Sequence, residues 1–176
     1  MQYGKQFGWR VSDETKRSAN GRVKSPTSGN AIIMGQAVEL DPTSAGYLKL
    51  APSGAKPLTG YCGLFLQDEQ MFPDIWSSYW QDSYSIALGK FNKLSVIANG
   101  PGAHVWYKNI TGSTRSDGRV IPSFTMFDST SLDIGHGFGW DGSKFVNVTD
   151  PTDDASFGTV VYLDAGNEYV EVMLTH

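Results

Sequence analysis

A chain of 176 residues fits one domain, or one domain with an appended segment, because domains commonly run ~100–200 residues. Hydrophobic residues at 40% can fill a core, but charged residues make up only 18% against the ~25% usual for soluble domains, so uncharged polar residues and the 20 glycines must supply much of the surface. A single cysteine excludes an intramolecular disulfide framework and zinc sites built on paired cysteines, and an acidic net charge of -4 argues against wrapping a polyanion over a broad face.

The charge is unevenly placed. Residues 1–30 hold Lys5, Arg10, Lys16, Arg17, Arg22 and Lys24 against Asp13 and Glu14, a net of +4 that leaves -8 for the remainder. This segment has room for one helical turn near Ser12 to Arg17 and ends in the turn-rich run Lys24-Ser25-Pro26-Thr27-Ser28-Gly29-Asn30. It reads as an extended basic arm, residues 1–30, on a single acidic body, residues 31–176. Tyr3, Phe7 and Trp9 are too many aromatics for a solvated tail. They pack on a neighbouring molecule or, if the arm folds back as an ordinary strand, on the chain's own body. A basic arm docks on an acidic protein surface or on nucleic acid, and the acidic body favours the protein.

From Ala31 the pattern changes to short alternating runs broken by turns. Val38 and Leu40 alternate with Ala37, Glu39 and Asp41; Asp41 to Gly46 is a loop; Leu48 and Leu50 flank an outward Lys49. Leu58 to Leu66 follows the turn cluster Pro52 to Pro57, and it is too apolar for an edge strand and too glycine-rich for a helix. Cys62 within it is a small apolar core residue. Residues 67–82 form an irregular insertion, with Ile75, Trp76, Tyr79 and Trp80 at helical spacing after Pro73-Asp74, giving one short helix.

Strands are expected at Ser83 to Leu88, Lys93 to Ala98, Ala103 to Lys108 and Arg119 to Ile121. Gly135-His136-Gly137-Phe138-Gly139-Trp140-Asp141 reads as a flexible surface loop, although its glycines would also let a ligand approach the backbone. Asp141-Gly142 supplies a tight hairpin loop with Lys144 to Val148 returning. Phe157 to Leu163, a turn at Asp164 to Asn167, and Tyr169 to Leu174 form a terminal hairpin, with Val170, Val172 and Leu174 on one face. The fold class is all-β: a small β-barrel or β-sandwich body with an extended N-terminal arm and one short helical insertion.

Catalytic and metal chemistry find little purchase. His104, His136 and His176 show no metal-ligand spacing, no Gly-x-Ser-x-Gly elbow occurs, and a Cys62–His104 pair would need a thiolate in an apolar strand. Asp150, Asp153 and Asp154 are interrupted by Pro151 and lack the spacing of a calcium loop, so they read as a solvated turn. The sequons at Asn109 and Asn147 read as chance occurrences. No run approaches the ~20 apolar residues that span a bilayer, and the polar start has no signal-peptide core, which fits synthesis in a cytosol.

Gly35-Gln36-Ala37-Val38-Glu39-Leu40-Asp41, then Gly46-Tyr47-Leu48-Lys49-Leu50-Ala51, then Lys56-Pro57-Leu58-Thr59-Gly60-Tyr61-Cys62-Gly63-Leu64, resemble successive strands of the phage capsid decoration (cement) proteins. Ala103 to Asn109 and Val170 to Leu174 resemble the later strands of that family. The likeness covers about residues 31–110 and the C-terminal hairpin, and leaves out Gln67 to Asp82 and Ile110 to Phe138. It implies a barrel-like body, often trimeric, that sits over junctions between major capsid protein subunits with an arm reaching its neighbours. The expected protein is a non-enzymatic virion component, made in the host cytoplasm and placed on the capsid outer surface. Its partners are the major capsid protein and itself, with no direct nucleic acid, no membrane, and no cofactor or metal. The interface falls to Tyr3, Phe7, Trp9, Arg10, Lys16, Arg17, Arg22 and Lys24, residue types that anchor interfaces or meet an acidic shell.

A rival reading rests on the insertion. Asp68, Glu69, Asp74 and Asp82 lie among Trp76, Tyr79 and Trp80, which suits a carbohydrate-binding β-sandwich that stacks aromatics on sugar faces and offers carboxylates to hydroxyls. The plainer alternative is that these aromatics only pack beneath the insertion.

Overall fold

The structure, a computed structural model, describes residues 7–9, 17–23, 35–43, 47–57, 63–66, 94–99, 101–114, 116, 118, 120–121, 123 and 125–175. These residues form strands and one three-residue 3-10 turn, as expected of an all-β chain. The expected helix within 67–82, the strand at Ser83 to Leu88 and Cys62 lie outside the described residues.

One sheet has six strands, every pair antiparallel. In spatial order they are β1 (Phe7–Trp9), β7 (His104–Lys108), β13 (Tyr169–Leu174), β12 (Ser156–Asp164), β10 (Gly137–Trp140) and β11 (Phe145–Val148). A second set pairs in the order β2 (Arg17–Val23), β4 (Tyr47–Leu50), β3 (Ala37–Leu40), β5 (Gly63–Leu66) and β6 (Leu94–Asn99), with β6 pairing back onto β2. Among the described residues of this set, β2 and β4 are the parallel pair. β8 (Ser113–Thr114) and β9 (Val120–Ile121) make a separate two-stranded ladder.

Local chemistry accounts for the turns. At the terminal hairpin the Asp164 carboxylate accepts from the Asn167 backbone N–H at 3.1 Å and from its Nδ2 at 2.7 Å, and Glu168 completes the reversal at φ 52°. Between β10 and β11, Gly142 takes φ 102°, while the Asp141 carboxylate accepts from the N–H groups of Ser143 (2.7 Å) and Lys144 (2.8 Å). Beyond this turn the core is aromatic. Phe145 stacks on Phe138 at 4.3 Å and meets Tyr107, Trp140 and Phe157 at 5.0, 4.9 and 5.6 Å. Val105, Val160, Val170, Val172 and Leu174 close the core from the same sheet, and Ala37, Val38, Ala51 and Ala55 close it from the β3–β4 side.

Two buried side-chain hydrogen bonds join the sheets. The Tyr107 hydroxyl donates to the Gly35 carbonyl at 3.0 Å, and the Trp140 indole N–H donates to the Ala51 carbonyl at 2.9 Å. Each spans a large gap in sequence, so neither could be read from local pattern.

One expectation is corrected here. The segment from Gly137 to Trp140 is not a flexible surface loop but the buried strand β10. Its glycines admit close packing: a Cβ on Gly137 would sit 2.7 Å from the Ser156 hydroxyl and 3.1 Å from the Asp150 carbonyl. Within residues 1–30 the structure describes two strands, β1 and β2. Phe7, Gly8 and Trp9 pair with Tyr107, Trp106 and Val105, and Arg17 to Gly21 pair with β6. Both stretches fill vacant sheet edges, which satisfies backbone donors and acceptors that an extended arm would leave to water.

Candidate functional site

The residues expected to form an interface are divided between the sheets. Phe7 and Trp9 lie on β1 of the six-stranded sheet, whereas Arg17 and Arg22 lie on β2, which pairs with β6 and β4. Tyr3, Arg10, Lys16 and Lys24 lie outside the described residues, as do Trp76, Tyr79 and Trp80. Lys16 and Lys24 flank β2 directly in sequence, so four basic positions follow one strand.

Beyond the ends of β7 and β13 lies an open polar cleft of about 280 Å³, with Asn109, Asp128, Lys144 and Glu168 in its wall. Asn109 organises it. Its Oδ1 accepts from the N–H groups of Met126 (2.7 Å) and Phe127 (3.2 Å), and its Nδ2 donates to the Phe127 carbonyl (3.0 Å) and to Glu168 (2.6 Å). Glu168 also accepts from Ser129 at 3.0 Å. Across the cleft Lys144 donates to Asp128 at 3.0 Å. The Thr130 hydroxyl, then Lys144, hold the Asp128 carboxyl down to about 2. A carboxylate held that low stays ionised at neutral pH and is unsuited to donate a proton to a leaving group. The cleft's polar groups are engaged chiefly in fixing the segment from Met126 to Ser129. Asn109, whose sequon reads as chance, is therefore a clamp, and the signal for it was the isolated asparagine directly after β7.

Among the described residues, His104 and His136 do not share a cluster of metal-ligating side chains. His104 lies on β7, and His136 approaches Asn147 at 3.2 Å and Asp133 at 3.7 Å. His176 lies outside the described residues. Among the described residues no three His, Cys, Asp or Glu side chains gather to hold an ion. Asp150 and Asp153 cap their own exposed turn through Thr152 and Ala155, and Asp154 pairs with Lys56, in keeping with a solvated turn. Among the described residues no helix is long and apolar enough to cross a membrane.

The outer face of the six-stranded sheet holds a feature that the sequence did not single out. Trp106, Tyr162 and Tyr169 gather there, with Tyr169 at 6.1 Å from each of the other two ring centroids. A bulge creates this grouping. Val160 pairs with Val172, yet Tyr162 pairs with Glu171, so one extra residue is taken up at Val161. In a regular strand Val160 and Tyr162 would share a face; the bulge turns Tyr162 outward, where it is 49% exposed, and turns Leu163 onto the core.

No protein-family model, curated protein or solved structure matches the chain.

Proposed function

We propose that this chain is a virion structural protein that decorates and cements the outer surface of a phage capsid, bridging major capsid protein subunits as a homo-oligomer, a trimer by the family resemblance. The observation that carries this reading is the adjacency of β4, β3 and β5. The three segments that resemble successive decoration-protein strands pair side by side in one set of ladders. In this reading those ladders are the barrel-like body, and the basic residues Lys16, Arg17, Arg22 and Lys24 bind an acidic shell. Such contacts contribute modestly one by one but sum over many copies.

Purified protein is expected to cosediment with shells that lack it and to raise their resistance to heat. Deleting residues 1–24 is a poor probe, because it removes β1 and β2 from their ladders. The double reversal Lys16→Glu with Lys24→Glu flanks β2 instead, and should weaken shell binding at least ten-fold while leaving the circular dichroism spectrum unchanged. Wild-type protein that stays in the supernatant with such shells would end this reading.

A further inference from the structure

We draw no further inference here: the strongest candidate, the aromatic patch of Trp106, Tyr162 and Tyr169 on the outer face of the six-stranded sheet, is a partly exposed apolar face, and nothing in the structure shows what covers it.

Discussion

Single side chains at the ends of β7 and β11 hold the least regular part of the chain in place. Asn109 satisfies backbone groups of Met126 and Phe127 that no ladder reaches, and Asp128, next in line, is fixed by the Thr130 hydroxyl and N–H and by Lys144. These bonds favour the charged carboxylate, so its folded pKa of about 2 lies below the ordinary value of 3.8. The sign of the linkage follows. The folded state binds the proton less readily than the unfolded chain, so the stabilisation is fully present above about pH 4 and is lost as pH falls toward 2. Asp128→Asn should be less stable than the wild type in urea at pH 6, and the two midpoints should converge between pH 4 and pH 2. A gap that stays constant across that range would show that Asp128 contributes by shape and neutral hydrogen bonding alone. Asp141, Asp150, Asp154 and Asp164 are lowered as well, so the wild type should itself lose stability over the same acid range.

At the scale of elements, the bulge in β12 is the feature with most leverage on the surface. Deleting Val161 should remove the bulge and leave Val160 opposite Val172, Tyr162 opposite Glu171 and Leu163 opposite Val170, so that both faces of β12 are kept. The expected result is a urea midpoint close to that of the wild type; a large drop would mean that the bulged residue itself contributes to stability. Nothing local in Val160-Val161-Tyr162-Leu163 announces this bulge, because four β-formers in a row fit any register. The strands that could be read were those whose register is stated by polarity, as in Tyr169 to Leu174, or whose turn is stated by a residue pair, as at Asp141-Gly142. β10 was misread because glycine's two uses, freedom and closeness, look alike in sequence, and only the Ser156 hydroxyl beside Gly137 tells them apart. The pairing of β1 with β7 was likewise illegible, since its register depends on residues almost a hundred positions away.

For the whole molecule the question is whether two sets of strands behave as one body. Ala37, Val38, Ala51 and Ala55 share a single apolar cluster with the aromatic centre of the six-stranded sheet, and the Tyr107 and Trp140 hydrogen bonds cross the same seam. Removing the Tyr107 hydroxyl keeps the ring and leaves the buried Gly35 carbonyl without this donor, at a cost of about 1–3 kcal/mol. Were the two sets independent domains, Tyr107→Phe would split the unfolding curve, or shift one of two transitions while the other stayed in place. With one shared core, the wild type should unfold in a single transition by both tryptophan fluorescence and far-ultraviolet circular dichroism, and Tyr107→Phe should move both signals together. Trp140→Phe should act in the same direction, since it removes the indole N–H to Ala51 together with part of a fully packed ring. The two residues reach the same seam from strands that share the Phe145 ring, so their costs should not be additive. A double variant whose loss equals the sum of the single losses would instead mean that each bond ties down its own patch, and that the seam is two local fastenings.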